Sequence, residues 1–253
     1  MPLLHYETPW QRKPPPGVSL DSRKTDGIQV YYALNESGGD RTHDLSRGLN
    51  PGTLTNSPTW KNGSLHLGGS SQKILIADSD SLSMTSNMTM AGWFKFDNLS
   101  GSRCLIRKGS SGGTDITFLW YWKSSGPASL SLFTGAGASE ANFTPVVGRW
   151  HHLACVVLAD NKIQNYADGV LLPNSTDGTP TWSDDADPWN VGDWSSFDFV
   201  GDIDQLIVWN RILNSGEIAL LRSNPWRYHQ PALVPLGVAA APPDVFIPLV
   251  MVI

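Results

Sequence analysis

The chain has 253 residues, of which 40% are apolar and 16% charged, and a formal net charge of −5. That apolar fraction suffices for one large core, while 24 glycines and 18 prolines interrupt the chain too often for long helices. No Lys/Arg run is longer than Arg12-Lys13, so the sequence carries no electrostatic footprint for nucleic acid or an anionic membrane.

Residues 1–26 hold Pro14-Pro15-Pro16 and aromatics without a period, which predicts an extended N-terminal arm. The opening Met1-Pro2-Leu3-Leu4-His5 lacks the basic and apolar regions of a secretory leader, so synthesis in a host cytoplasm is expected. Six Asn-x-Ser/Thr sequons, at Asn35, Asn62, Asn87, Asn98, Asn142 and Asn174, are then attributed to chance.

Residues 27–226 read as one antiparallel β-sandwich. Short alternating runs recur between Gly, Asn, Asp and Pro turns: Ile28–Tyr32, Ser64–Leu67, Met88–Phe96, Ile116–Trp122, Ser129–Phe133, Trp150–Val157, Ile163–Tyr166 and Asp204–Trp209. Cys104 and Cys155 each sit inside such a run, which predicts two buried free thiols, since buried cysteine behaves as a small hydrophobe. Asp168-Gly169 between Ile163–Tyr166 and Val170-Leu171-Leu172 is the two-residue signal of a hairpin, because both turn positions need positive φ. In Asp204–Trp209, Leu206 and Val208 share one face and Ile207 and Trp209 the other, so this strand is expected to be covered on both sides.

One helix follows. Asn214 stands three residues before Glu217, the capping-box spacing; Ile218, Leu220 and Leu221 are expected to point inward, and Pro225 to end the helix. Residues 227–253 form a Pro-rich apolar C-terminal arm. Pro235, Pro242, Pro243, Asp244 and Pro248 keep it below the roughly 20 uninterrupted apolar residues of a spanning helix. Apolar surface of that extent is expected to dock on a neighbouring subunit or another protein.

Four pieces in order resemble the laminin-G-like branch of the concanavalin A-like lectin/glucanase superfamily: Met90-Ala91-Gly92-Trp93-Phe94-Lys95, Gly148-Arg149-Trp150-His151-His152-Leu153-Ala154, Tyr166-Ala167-Asp168-Gly169-Val170, and the strand-plus-helix signature Gly201–Ile218 with Asp202, Asp204 and Trp209. The resemblance covers roughly residues 28–222 and implies a two-sheet jelly roll with a short C-terminal helix. Gly192 and Gly201 are expected in turns that a Cβ would resist. Gln205 stands where relatives often carry a second acid, which puts calcium in doubt. Loop carboxylates and carbonyls nevertheless keep an oxygen-ligand calcium site open, whereas His151 and His152 are adjacent, point to opposite faces and cannot chelate one ion.

Glucanases of this fold carry a run of alternating carboxylates on one strand face, and none is present here. Asp202 and Asp204 share a face but are expected to cap the preceding turn and bind loop amides. The densest polar-aromatic cluster is Thr181–Trp194, with Trp182, Asp184, Asp185, Asp187, Trp189, Asp193 and Trp194. Indole faces stack on pyranose rings and carboxylates accept sugar hydroxyls; packing on the sandwich rim or at a subunit contact is the first expectation and a sugar site the second. Trp120 and Trp122, opposite Tyr121, are expected in the core or an interface.

The laminin-G-like chains that this one most resembles, including the Ser223-Asn224-Pro225-Trp226 ending, look like those of phage structural gene clusters, and by that analogy the expectation is a non-catalytic phage virion protein without cofactor. It would be a capsid decoration or tail component whose partners are the major capsid or tail proteins, assembled as a closed homo-oligomer, a trimer being the expected form. The alternative is a glycan-binding adhesin or receptor-binding module acting through the Trp-rich segment.

Overall fold

The computed structural model describes residues 20–21, 25–109 and 116–229. Two antiparallel sheets face each other. The eight-stranded sheet runs β14 (Val170–Leu171), β13 (Ile163–Ala167), β12 (Trp150–Val157), β7 (Met88–Phe96), β17 (Val200–Trp209), β5 (Ser64–Gly68) and β4 (Thr59–Lys61), with β1 (Ile28–Tyr32) also paired to β17. The nine-stranded sheet runs β15 (Asn174–Asp177), β11 (Gly137–Asn142), β10 (Ser129–Thr134), β9 (Phe118–Lys123), β8 (Arg103–Lys108), β16 (Trp189–Val191), β6 (Lys73–Ile76), β3 (Gly52–Thr55) and β2 (Arg41–Thr42). The helix α1 spans Ser215–Ser223. This is the antiparallel sandwich expected from the strand and turn pattern, in the jelly-roll form that the resemblance implies.

Alternation along each strand builds the core. Met88, Met90, Phe94 and Phe96 of β7, Leu153, Cys155 and Val157 of β12, and Leu206 and Val208 of β17 meet Phe118, Trp120 and Trp122 of β9, Leu130 and Leu132 of β10, and Trp189 and Val191 of β16. Trp120 and Trp122 are therefore core residues, with Nε1 donating to Asn165 Oδ1 at 3.2 Å and to the Phe143 carbonyl at 3.0 Å. The outer face of the eight-stranded sheet has its own cluster, in which Tyr31, Ala91, Val156, Ile207 and Trp209 lie under Leu213, Ile218, Leu221, Trp226 and Tyr228. The eight-stranded sheet is thus the middle of three layers, as the two-sided apolar pattern of β17 predicts.

The helix starts as predicted, with Asn214 and Glu217 completing a reciprocal capping box. Ile218 and Leu221 are buried, but Leu220 is exposed, because one turn of helix cannot turn three residues in four onto one face. Asp168 and Gly169 take φ of 51° and 82° at the hairpin between β13 and β14. Both cysteines are free and buried, and burial pushes both thiols above their ordinary range. Packing continues through Tyr228 and His229. His229 bridges to Leu20, and Asp21 N–H donates to the Tyr228 carbonyl at 2.6 Å. The remainder of the proposed arms lies outside the described residues.

Gly201 is not a turn residue; it lies inside β17 at φ 150°, where a Cβ would sit 1.9 Å from the Lys95 carbonyl oxygen. The glycine permits close strand approach there rather than chain reversal. Gly192 follows β16 at φ 94°, and a Cβ would meet Leu67 Cδ1 at 2.1 Å.

His151 and His152 do face opposite ways. The His151 ring packs on Phe143 at 5.4 Å, and that of His152 on Trp93 at 5.3 Å. Burial drives His152 down to about 4, so it is neutral in the fold but titrates near 6.5 when unfolded. The unfolded chain therefore binds the extra proton as pH falls through 6.5, and stability is lost until the folded midpoint is reached. Between pH 7 and pH 4 this one ring should cost about 3 kcal/mol. Urea unfolding should show that loss in the parent, and the slope should flatten in His152→Phe.

Candidate functional site

The Trp- and Asp-rich segment does not form one cluster. Trp189 lies in β16 facing inward, fully buried against Phe118 at 4.9 Å, and presents no surface to a ligand. Asp193 and Trp194 lie toward the outer face of the nine-stranded sheet. There Lys73 Nζ reaches Asp193 Oδ2 at 2.6 Å, and Trp194 packs edge-on against Phe197, which stacks on Tyr121 at 5.8 Å. Burial and the neighbouring Asp193 raise the nearby Asp198 carboxyl. These two candidates thus pin the 192–198 loop to the sheet.

Trp182, Asp184, Asp185 and Asp187 are at the rim of the sandwich instead. Trp182 is half-buried; its ring lies against Phe118 at 5.4 Å and its Nε1 donates to the Met84 carbonyl at 3.1 Å. Beside it opens a cleft of about 380 Å³, walled by Thr117 from the approach to β9, Gly135 and Ala136 from the β10–β11 turn, and Thr181, Trp182, Ser183 and Asp185. Thr117 Oγ1 donates to Asp185 Oδ2, and Asp187 N–H donates to Asp185 Oδ1 at 3.0 Å. Asp187 acts through its backbone, as a turn residue.

Under the cleft sits Lys108, the last residue of β8 and almost fully buried. Its Nζ lies 2.9 Å from Asp78 Oδ1, 2.6 Å from Asp184 Oδ1 and 3.8 Å from Asp185 Oδ1. Burial alone would depress this ammonium, but the hydrogen bonds it donates to Asp184 and Asp78 outweigh it and hold it above its ordinary value. The same contact holds the Asp184 carboxyl below the usual carboxylate range. Lys108, Asp78 and Thr117 have no signature in the sequence, because they meet the 181–187 segment across large separations, 76 residues for Lys108 and Asp184.

The remaining motif residues hold the frame. Asp168 accepts from His151 Nδ1 at 3.0 Å and from the His152 N–H at 3.0 Å, and Arg149 approaches at 3.4 Å. Burial alone would raise this carboxyl, but His151 outweighs it and keeps it low. Asp202 does not cap a turn. It lies beside His66 of β5 and Lys95 of β7, with His66 Nδ1 at 2.7 Å and an ion pair to Lys95, which itself lies over the Trp150 ring. Asp204 is buried next to Trp93, its Oδ1 accepting from the Gln205 N–H at 2.8 Å. Gln205 donates to the Tyr31 hydroxyl and the Pro225 carbonyl, so it anchors the C-terminal layer.

Comparison with known proteins fixes the class. The sequence profile described as "Concanavalin A-like lectin/glucanases superfamily" matches residues 67–219, and the chain belongs to that family. The fold resembles domain 4 of AbnA, a GH43 extracellular arabinanase from Geobacillus stearothermophilus, in complex with arabinotriose. The TM-score is 0.62 at 17% identity, covering 77% of this chain and 98% of that domain. It also resembles Trypanosoma rangeli sialidase in complex with the inhibitor DANA, at TM-score 0.61 and 17% identity, covering 76% of this chain. The chain spans about a third of the sialidase chains' length, 32%. No curated protein matches.

These likenesses carry the fold, and they correct one expectation. The chain was expected to be non-catalytic because it lacks a run of alternating carboxylates. Its structural neighbours are sialidases and a glycoside hydrolase domain, so the fold is compatible with glycan binding or with catalysis. A missing strand motif does not decide between them, because the fold brings together carboxylates that are far apart in sequence.

Carboxyl-resolved NMR should place the Asp184 midpoint below the 3.8 of an unperturbed aspartate. Lys108→Met should return it toward that value. Because the folded carboxyl is the stronger acid, its contribution is complete above 3.8 and is lost as pH falls through the lower folded midpoint.

Proposed function

We propose that the chain binds carbohydrate in the rim cleft. The observation that carries this reading is the composition of the cleft wall: one half-buried indole, the hydroxyls of Thr117, Thr181 and Ser183, and the Asp185 carboxylate, opposite the small residues Gly135 and Ala136. An indole stacks on the apolar face of a pyranose, hydroxyls and a carboxylate pair with its equatorial groups, and the glycine side leaves room for the ring. The volume suits one or two sugar units. That arabinotriose is held by the structurally similar arabinanase domain supports the chemical class.

Trp182→Ala should weaken oligosaccharide binding by up to about tenfold, the worth of one lost stacking contact, and should lower the melting temperature only moderately, because the half-buried ring also packs on Phe118. Trp189→Ala should instead fail to fold or melt far lower, because it empties a core position. Glycan-array and calorimetric binding with both variants checks the assignment, and reducing-sugar release from the same ligands measures turnover. Binding unchanged in Trp182→Ala would remove the cleft from consideration.

A second reading, a virion structural role with the flanking arms docked on capsid or tail proteins and on like subunits, is favoured by one feature. The Leu20–His229 bridge holds the two ends of the body together, so both apolar flanks start from a single patch, as a tether to a neighbour requires. Deleting residues 231–253 should leave the melting temperature within a few degrees of the parent and abolish incorporation into particles. Quantitative mass spectrometry of particles should find near-stoichiometric copies for a decoration protein and a handful for a tail component.

A further inference from the structure

Three carboxylates converge at the rim, and their arrangement suggests an oxygen-ligand cation site until its centre is considered. Asp78 follows β6, Asp184 and Asp185 belong to the loop that carries Trp182, and all three turn toward one point. That point is the Lys108 ammonium, almost fully buried at the end of β8 between Phe118 and Trp189. A calcium ion needs six to eight oxygens at about 2.3–2.6 Å, and a fixed positive charge in the same place would repel it. Among the described residues no group of three or more acidic, His or Cys side chains is arranged to hold a metal ion. The donor set therefore does not fit calcium.

We propose that Lys108 is a built-in replacement for a divalent cation: its ammonium is the positive centre that gathers Asp78, Asp184 and Asp185 and thereby positions the cleft wall. Three features support it. The hydrogen bonds are charge-assisted and reach from one strand end to two separate segments, which is the cross-linking work of a bound ion. The stem of Lys108 is fixed by ladder pairing on both sides of β8, so the charge is delivered at a set depth. Asp185 is shared between this centre and Thr117, so the ammonium and the ligand-facing hydroxyl act on one carboxylate. Lys108 is a positioning residue: it orients Asp184 and Asp185 without lining the cleft. The consequence for ligand binding rests on the reading of the cleft as a sugar site. The test does not, because it contains no sugar.

The readout is cleavage by chymotrypsin after Trp182, followed by mass spectrometry, together with the melting temperature, on the full chain in chelator and in millimolar calcium. The parent should resist cleavage equally in both. Lys108→Met removes the centre and leaves three facing carboxylates, so cleavage after Trp182 should rise at least tenfold in chelator. Calcium should suppress it and raise the melting temperature of this variant alone, while Lys108→Arg should stay close to the parent. Should Lys108→Met fail to fold, the Asp184→Asn, Asp185→Asn double variant carries the test: cleavage should rise and calcium should not suppress it. Loosening of the parent by chelator overturns the proposal, as does a Lys108→Met chain that stays resistant, one that loosens without responding to calcium, or a double variant cleaved no faster than the parent.

Discussion

The bulge at Gln205 sets where the charge in this domain can go. Strand β17 pairs with β7 over nearly its whole length, but between Asp204 and Ile207 it spends one residue more than its partner, with Gln205 at φ 43° and Gly92 opposite. Before the bulge Ile203 faces the core and Asp202 and Asp204 face outward; after it Leu206 and Val208 face the core. An uninterrupted period of two would have placed both carboxylates on the same side as Leu206 and Val208, between the sheets, where unpaired charges cost several kcal/mol each. The extra residue turns both out, Asp202 to meet His66 and Lys95 and Asp204 to accept from the Gln205 N–H beside Trp93, and the Gln205 side-chain amide ties down Tyr31 and the chain at Pro225. The three-layer arrangement follows, because the outward face of β17 beyond the bulge is apolar and must be covered by α1, Trp226 and Tyr228.

The same rule governs the rim. A lysine pointing inward at the end of β8 would be a liability beside Phe118 and Trp189, and three aspartates crowded at a loop end would repel one another. Each group of charges is tolerable only because of the other. Removing one member of such a buried set leaves an uncompensated charge, which costs far more than the pair contributes when intact. This mutual dependence holds a loop with little regular structure of its own in one shape, so that Trp182 keeps a defined place in the cleft wall. A rigid frame carrying a loop-built pocket is the usual division of labour for recognition sites.

Placing the cleft at the rim also separates it from the remaining aromatic features. Trp194, Phe197 and Tyr121 stack over the outer face of the nine-stranded sheet, and Trp189 belongs to the core, though all but Tyr121 come from one short stretch of chain. Neighbouring residues on a strand point to opposite faces, so a local concentration of tryptophan is divided among core, outer face and rim as soon as that stretch enters a sheet.

Local chemistry was legible from the chain alone wherever it acts over a few residues. The hairpin at Asp168-Gly169, the capping box of Asn214 and Glu217, the strands Met88–Phe96 and Trp150–Val157, and the two-sided burial of Leu206–Trp209 all follow from turn preference and side-chain period. Short strands such as β16 and β2 carry too few residues to show a period and are held by pairing to longer neighbours, β8 and β3. The parity change at Gln205, the close approach at Gly201 and the meeting of Lys108 with Asp78, Asp184 and Asp185 were decided only by the tertiary structure. The physical reason is that each depends on the register of one strand against another, and register is set by long-range packing rather than by the residues on either side.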